Sequence, residues 1–313
     1  MPWYLIIFYL ICGIALLYYG AEWLVKGGVS IAERSGVPPL IIGLTLVSFA
    51  TSAPELVVSI NAAFSGSGDI SVGNVVGSNI CNIGLILGLS ALLTPLAVQK
   101  QLLKVDVPLL IVLSLIFAGI GWYCNGFNRL SGLLFVLMLS AYILWNIYSA
   151  RKSGEKGESS GENLSMAAAV FFVLGGLAAL VIGGRLLVSG GVAVGRALGI
   201  REAVIGLTIV AIGTSLPELA TSIVAAVRKE ADIAIGNVVG SNIFNILAIM
   251  GIAPLLKPIR SASINIWDWA VMLLLTVLLF PVMKSGQKIS RKSGLLLLVI
   301  FAAYMAWIVY SAK

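Results

Sequence analysis

The segment GLTLVSFATSAPELVVSI at residues 43–60 recurs 163 positions later as GLTIVAIGTSLPELATSI at residues 206–223. The same offset relates GNVVGSNICNIG at residues 73–84 to GNVVGSNIFNIL at residues 236–247. Eleven of 18 positions are identical in the first pair of segments, and ten of 12 in the second. The chain therefore contains two copies of a polar, proline-containing unit, and such internal repeats are typical of secondary transporters.

Each copy carries one acidic residue, Glu55 in the first and Glu218 in the second, within apolar sequence. A carboxylate inside a bilayer has no solvent to stabilise its charge, so an acid at that depth is a functional candidate by default. The alternative is a structural carboxylate, protonated or hydrogen-bonded between helices. Because the acid is duplicated together with its neighbours, the functional interpretation is favoured.

The composition indicates an integral membrane protein. Of 313 residues, 59% are hydrophobic and 11% are charged, the mean hydropathy is +1.06, and soluble domains average about 25% charged residues. The net charge is +7, but the basic residues are scattered, so we predict a lipid bilayer and no nucleic acid as partner. Histidine is absent and the three cysteines lack metal-ligand spacing, which argues against zinc, copper and a disulfide framework. We predict no cofactor.

The hydropathy pattern predicts an all-α membrane protein of ten transmembrane helices, arranged as two inverted five-helix repeats. A span needs about 20 mostly apolar residues. Ten segments meet this requirement, at residues 3–27, 38–64, 70–93, 104–123, 130–149, 165–189, 201–227, 233–256, 266–284 and 293–312. We predict a first repeat at 1–150, a hydrophilic linker at 151–164 and a second repeat at 165–313. Because five spans are an odd number, the second repeat must enter the membrane from the opposite face.

The basic residues predict the orientation. If the N-terminus is outside, thirteen of the twenty Lys and Arg residues lie in cytoplasmic loops and seven lie on the other side. The positive-inside rule then places both termini outside the cell membrane and the central loop in the cytoplasm. Since no basic region precedes the first apolar segment, we interpret that segment as a span rather than a cleaved signal peptide.

Side-chain oxygens cluster around each acid. Thr51 and Ser52 lie four and three residues before Glu55, so in a helix all three share one face. Thr214 and Ser215 repeat this arrangement in the second copy. These hydroxyls are either ion ligands or donors to helix carbonyls near the prolines. Each proline also frees a carbonyl four residues earlier, which at membrane depth is tolerated only against protein or a wet cavity.

The GNVVGSN blocks predict a second wall of the same site. Ser78 and Asn82 lie four residues apart, as do Ser241 and Asn245, so each pair shares a helical face. The two asparagines are either ligands or hydrogen-bonding bridges between helices. An all-oxygen site with two carboxylates suits a hard metal cation such as Ca²⁺, and subsets of its oxygens suit Na⁺ ions that compete for the same carboxylates.

At these duplicated blocks the chain resembles the sodium/calcium exchanger branch of the cation/calcium exchanger superfamily, and the resemblance covers nearly the whole chain. It implies a ten-span inverted repeat that exchanges several Na⁺, usually three, for one Ca²⁺, so that transport is electrogenic. It also implies that the acids are central ligands, with further oxygens from Thr51, Ser52, Thr214, Ser215, Ser78 and Ser241, and backbone carbonyls from Ser48 and Ala211.

Departures from the family pattern refine this expectation. Asn245 stands where some relatives, including potassium-dependent ones, have Asp, which argues against a K⁺ requirement. Ser78 and Ser241 stand where the proton-coupled branch typically has Glu. The central linker is too short for the large cytoplasmic Ca²⁺-sensing domains of animal exchangers. We therefore expect a Na⁺/Ca²⁺ antiporter, with a proton-coupled Ca²⁺ antiporter as the alternative.

Two readings from other classes are weaker. An intramembrane hydrolase would need a nucleophile with a base partner or an HExxH-like motif, and the sequence has neither. A passive cation channel would lack saturable counter-transport. One chain can hold the whole site, so a monomer suffices and no protein partner is implied.

Four further acids are predicted to lie outside the site. Asp69 and Asp232 are expected as helix N-caps rather than ion-access groups. Asp106 and Asp268 are expected at the membrane interface. The glycine-rich segments in spans 1 and 6 are expected to serve close packing, or a surface that slides during transport.

Overall fold

Long helices dominate the computed structural model, which describes residues 2–153, 164–199, 211–261 and 264–311. The helices are α1 (Trp3–Ser35), α2 (Pro39–Thr51), α3 (Ala53–Phe64), α4 (Gly68–Leu93), α5 (Leu102–Tyr123), α6 (Arg129–Ser153), α7 (Met166–Ala197), α8 (Ala211–Gly213), α9 (Leu216–Val227), α10 (Ala231–Leu256), α11 (Ile266–Lys284) and α12 (Arg291–Ser311). The strands are β1 (Leu96–Ala97), β2 (Gly126–Phe127), β3 (Ile259–Arg260) and β4 (Lys288–Ile289). Within these ranges, eight helices are long and apolar enough to cross a membrane, and the bent pair α2–α3 makes up to nine.

The observed helices coincide with most predicted spans, with two corrections. Helices α1 and α7 end at Ser35 and Ala197, not at 27 and 189 as predicted. Gly36 ends α1, because its φ of 63° is left-handed and two prolines follow. The predicted span at 201–227 and the predicted linker lie partly outside the described residues.

Helices α1 and α7 pack against each other in antiparallel directions. Gly13 of α1 lies against Gly183 of α7, and Gly20 lies against Gly176, so the contact moves backward along α7 as it moves forward along α1. A Cβ atom on Gly20 would lie 2.9 Å from the Gly176 carbonyl oxygen. Only glycine permits this close approach of two backbones.

The predicted proline break is present between α2 and α3. The two helices differ in direction by 45°, and Ser52 between them has φ −82° and ψ 2°, outside the helical region. Pro54 removes a backbone donor and its ring clashes with the carbonyl four residues earlier, which accounts for the break. Ser215, with φ −87° and ψ 8°, occupies the same position before α9 and Pro217.

Helices α4 and α10 form the centre of the bundle and are its most buried spans within the described ranges. Each contains a π-helical stretch, at Asn82–Leu87 in α4 and Asn245–Ile249 in α10. Helix α2 contains a third stretch, at Gly43–Val47. Such π-helical turns occur frequently at functional sites.

Two short antiparallel ladders join loops that are distant in sequence. Strand β1 pairs with β4, so the loop after α4 meets the loop after α11. Strand β2 pairs with β3, so the loop after α5 meets the loop after α10. Each pair of loops therefore lies on one side of the bundle.

The prediction that Asp106 is interfacial is wrong. Asp106 is fully buried, and its Oδ1 accepts a hydrogen bond of 3.0 Å from the Tyr142 hydroxyl. Asp268 does lie at a helix start, in a capping box with Asn265, and its Oδ1 accepts a 2.8 Å bond from Tyr304. Because α6 covers Asp106, the hydrogen bond to Tyr142 replaces the solvation that an interfacial position would supply.

Candidate ion-binding site

The two duplicated acids come together at the centre of the bundle. Glu55 lies in the first turn of α3 and Glu218 in the first turn of α9, directly after the two helix breaks. Each side chain is only 1% exposed, so neither carboxylate faces lipid. A helix N-terminus presents unpaired N–H groups and a positive dipole end, which stabilises a carboxylate in that turn.

Hydrogen bonds cross between the two halves at this point. The Ser52 hydroxyl donates to Glu218 Oε1 at 3.1 Å, and the Ser215 hydroxyl donates to Glu55 Oε1 at 3.3 Å. Because each serine lies three residues before the acid of its own half, these reciprocal bonds hold the acids side by side. Ser215 also lies 3.5 Å from the hydroxyl oxygen of Ser78 on α4.

Fourteen buried side-chain atoms have no hydrogen-bond partner within the described part of the chain, and six of them are oxygens of the predicted ion ligands. The six oxygens are Glu55 Oε2, Glu218 Oε2, Thr214 Oγ1, Ser241 Oγ, Asn82 Oδ1 and Asn245 Oδ1. Leaving a buried polar atom unpaired costs about 1–3 kcal/mol, and more for a charged atom. Such a concentration of unpaired oxygens is explained by a ligand that they coordinate. Oxygen-only donors with two carboxylates fit a divalent hard cation, which they would neutralise.

The two predicted asparagines act as bridges and also present free oxygens. The Asn82 amide donates to Asn242 Oδ1 at 3.0 Å, and the Asn245 amide donates to Asn79 Oδ1 at 3.0 Å. Both bonds join α4 to α10. The ligand and bridge alternatives are therefore compatible, since each side chain uses its nitrogen for the bridge and leaves its oxygen unpaired. Sequence reasoning overlooked Asn79 and Asn242, although both GSN triplets contain them.

Two further asparagines support the site from behind. Asn237 donates to the Ser222 hydroxyl at 2.9 Å and to the Glu218 carbonyl at 3.4 Å. Asn74 makes the equivalent bonds in the other half, including one of 3.0 Å to Ser59. These amides fix the first turns of α9 and α3, on which the acids depend for their position. The signal that identifies them is the GN dipeptide that opens each repeated block.

The two threonines differ in their bonding. Thr51 donates to Asn237 Oδ1 at 3.1 Å and approaches the Ser48 carbonyl at 3.3 Å. That carbonyl also accepts the Ser52 N–H at 3.0 Å. It keeps one lone pair for an ion, because the single hydroxyl hydrogen of Thr51 is donated to Asn237. Thr214 has no partner for its hydroxyl in the described ranges. Ala211 is the first residue of α8. The role of its backbone carbonyl as an ion ligand stays a prediction.

The prediction that Asp69 and Asp232 are N-caps is wrong. The caps of α4 and α10 are Ser67 and Glu230, and each aspartate follows within the first helical turn, where the helix dipole favours it. Burial raises the pKa of Glu230, and the nearby carboxylates of Asp232 and Glu33 raise it further. Three carboxylates, those of Glu230, Asp232 and Glu33, therefore lie near one another at this end of α10. Ion access is the alternative role for the two aspartates.

A cavity of about 520 Å³ separates α3 from α7 and reaches the site at Thr214 and Pro217. The equivalent position in the other half lies between α9 and α1. There the Arg228 side chain at the end of α9 forms an ion pair with Glu22 of α1. One end of the site is thus closed by protein, and the other adjoins a gap.

Comparison with known proteins agrees with this geometry. The family model described as "Sodium/calcium exchanger protein" matches residues 5–148 and 168–310. The chain is 38% identical over 309 residues to a putative antiporter, CaxA, of Alkalimonas amylolytica, covering 95% of this chain and 96% of the relative. It is 32% identical over 346 residues to the sodium/calcium exchanger MaX1 of Methanosarcina acetivorans, covering 96% and 97%. The solved structure of the sodium-calcium exchanger NCX_Mj is similar with a TM-score of 0.85 and 34% identity, covering 97% of this chain and 99% of that chain.

Proposed function

We propose that this chain, which belongs to the sodium/calcium exchanger protein family, exchanges Na⁺ for Ca²⁺. As a member of that family it is a multi-pass cation/calcium antiporter and not an enzyme. The observation that carries the proposal is the group of six unpaired oxygens, to which each half contributes one carboxylate oxygen. A single Ca²⁺ would neutralise Glu55 and Glu218. Transported ions, and no resident cofactor, would complete the site.

Because Ca²⁺ and Na⁺ would share the same protein ligands, release of one ion is coupled to binding of the other. If Ca²⁺ leaves and no cation replaces it, two carboxylates remain charged, buried and close together, which is a costly state. Na⁺ ions that occupy subsets of the same oxygens remove this cost. The proposed ligands are Glu55, Glu218, Thr51, Ser52, Thr214, Ser215, Ser78, Ser241, Asn82 and Asn245, with the carbonyls of Ser48 and Ala211.

Three observations support Na⁺ rather than H⁺ as the counter-ion. Two similar proteins, MaX1 and NCX_Mj, are described as sodium-calcium exchangers. Neither GNVVGSN block contains an acid, whereas the G-N-x-x-E pattern typical of proton-coupled relatives does. Asn245 is also neutral, and within the described ranges the predicted site contains two carboxylates, those of Glu55 and Glu218. Exchange of three Na⁺ for one Ca²⁺ moves one net charge, so we propose electrogenic transport.

We further propose ten spans in two inverted repeats. Helices α1 and α7 occupy equivalent positions in the two repeats, and their antiparallel contact supports inversion. The pairing of β2 with β3 requires an even number of crossings between them. Helices α6, α7 and α10 provide three, so the segment that contains α9 would provide the fourth. Loop charges support outside termini and a cytoplasmic central loop.

Reconstituted vesicles test the counter-ion directly. Na⁺-loaded vesicles diluted into Na⁺-free buffer should take up radioactive Ca²⁺ with saturable kinetics, whereas K⁺-loaded vesicles should not. A pH gradient alone should drive no uptake. Since net positive charge leaves as Ca²⁺ enters, a potential that is positive inside, set with K⁺ and valinomycin, should accelerate uptake. Uptake driven by a pH gradient without Na⁺ would establish proton coupling, and uptake independent of any counter-ion would indicate a channel.

A further inference from the structure

The cavity between α3 and α7 has the character of a lipid site. Its walls are almost entirely apolar, with Val57 and Val58 on α3 and Leu177 and Val181 on α7. Its volume of about 520 Å³ lies in the range of small-ligand sites, which is about 300–1,000 Å³. A hydrated ion gains little from such walls, because they offer it few oxygens. A hydrocarbon chain would be well solvated there.

One cationic side chain lies among the residues that line this cavity. Arg185 lines the cavity, and Ser189 lies one helical turn further along α7 and also lines it. In the described ranges no acidic side chain forms an ion pair with Arg185. A guanidinium together with a hydroxyl on one helical face is well suited to bind a phosphate group.

Arg185 is the first charged residue of α7. A Cβ atom on its neighbour Gly184 would lie 3.9 Å from the Gly213 carbonyl oxygen, beside the break that precedes α9, so the backbone of Arg185 lies near the level of the ion site. A long arginine side chain covers apolar surface with its methylene groups and extends its guanidinium towards the membrane surface. The charge of Arg185 can therefore reach a phosphate that lies outside the apolar cavity.

The other half of the molecule has a protein partner at the equivalent position. At the offset of 163, Arg185 corresponds to Glu22, and the partner of Glu22 is Arg228. The residue that corresponds to Arg228 is Ser65, which carries no charge. Among the residues that the structure describes, the ion pair of one half thus has no counterpart in the other, where Arg185 lines an apolar gap.

We propose that an anionic phospholipid binds here, with its phosphate on Arg185 and Ser189 and one acyl chain in the cavity between α3 and α7. The acyl chain covers the apolar walls up to Pro217. The lipid head group supplies the negative charge that the uncharged Ser65 does not supply. The proposed lipid contacts involve neither Glu55 nor Glu218, so lipid binding can be measured without a transport assay.

Lipid retention tests this site without any transport assay. The full chain, purified in detergent and stripped of lipid, is mixed with equal amounts of phosphatidylglycerol and phosphatidylcholine, and retained lipid is counted by native mass spectrometry. We expect one phosphatidylglycerol per chain in preference to phosphatidylcholine. Arg185→Gln should lower that preference about tenfold, since it removes a charge-assisted bond to phosphate. Arg129→Gln, which removes an exposed arginine at the start of α6, should have no effect.

A second variant tests the acyl chain separately from the head group. Val57→Trp fills the apolar gap and leaves Arg185 intact, so it should abolish retention of phosphatidylglycerol. Unchanged retention in Val57→Trp would overturn placement of the chain in the cavity. Equal retention of the two lipids by the unmodified protein, or undiminished preference in Arg185→Gln, would overturn the whole site.

Discussion

The two ends of the ion site are built from equivalent helices but are packed differently. In one, α1 of the first half contacts α9 of the second, and Glu22 pairs with Arg228. In the other, α7 of the second half stands apart from α3 of the first, and a cavity of about 520 Å³ lies between them. Related sequences thus occupy a closed and an open arrangement within one molecule.

The same difference extends into the site. Thr51 is held by a hydrogen bond to Asn237, whereas its counterpart Thr214 has a buried hydroxyl without a partner in the described ranges and adjoins the cavity. The two acids, in contrast, have matching environments, because Ser52 and Ser215 bond to them reciprocally. The centre is symmetric and the surroundings are not. In an alternating-access transporter, one end of a fixed central site is closed while the other is open, and the two ends then change roles.

The largest effect is expected from breaking the symmetric centre. Glu55→Gln and Glu218→Gln should each lower Na⁺-driven Ca²⁺ uptake by at least about 100-fold, because loss of one buried charge partner costs about 3–5 kcal/mol. The two losses should be similar, since each half contributes one acid. Radioactive Ca²⁺ flux in vesicles measures them, with thermal unfolding to verify that both variants fold.

Asp106→Asn is the matched control, because Asp106 is equally buried but bonds to Tyr142 outside the site. It should retain exchange. Substantial exchange in either glutamate variant would remove the site assignment, and a loss confined to one of them would show that the centre is not symmetric.

An intermediate effect is expected at the contact between α1 and α7. This contact concerns both ends of the ion site, because α1 lies at one end and α7 at the other. Gly20→Ala places a methyl group 2.9 Å from the Gly176 oxygen and the Leu180 nitrogen, so the helices must separate. Overpacking of this kind costs about 1–3 kcal/mol. We expect a lower unfolding temperature in detergent and slower exchange.

Gly119→Ala is the control for this contact, because a methyl group there meets nothing within 4 Å. Alanine is the better helix former by about 1 kcal/mol, so this variant should be as stable as the parent protein or more so. Equal unfolding temperatures for the two alanine variants would mean that the glycine contact does not determine the packing of α1 on α7.

The smallest effect is expected from the ion pair that closes one end. Arg228 is 54% exposed and Glu22 is 27% exposed, and exposed pairs contribute about 0–1 kcal/mol. Glu22→Gln should therefore change the half-saturating Ca²⁺ concentration on that side of the membrane by no more than about fivefold, and less at high salt. Oriented vesicles with Ca²⁺ added to one side provide the measurement.

Ser65→Glu is the reciprocal variant, because it introduces an acid at the position equivalent to Arg228, in the half where Arg185 forms no ion pair within the described ranges. It should favour closure of the gap between α3 and α7 and shift the Ca²⁺ dependence of the opposite side. If Glu22→Gln and Ser65→Glu change the same side of the membrane, the two ends are not equivalent gates.

Much of this architecture could be predicted from local sequence. The helices follow from apolar run length, and the broken helices follow from Pro54 and Pro217, since both depend on chemistry within a few residues. Glu55 and Glu218 stand out because a bilayer makes unpaired acids costly wherever they lie in the fold. Asn79 and Asn242 were overlooked because their partners lie 166 and 160 residues away, on the other central helix.

The sequence by itself determined the spans, the duplication and the oxygen chemistry of the centre, because these depend on composition, spacing and the cost of burying charge. Only the tertiary structure decided that Asp106 is buried, that Thr51 is bonded while Thr214 is not, and that one end of the site is closed. Both repeated segments have the same proline, acid and hydroxyl residues at the site, so these shared residues do not distinguish the packing of the two halves. That difference arises from contacts between the halves, among residues more than 150 positions apart.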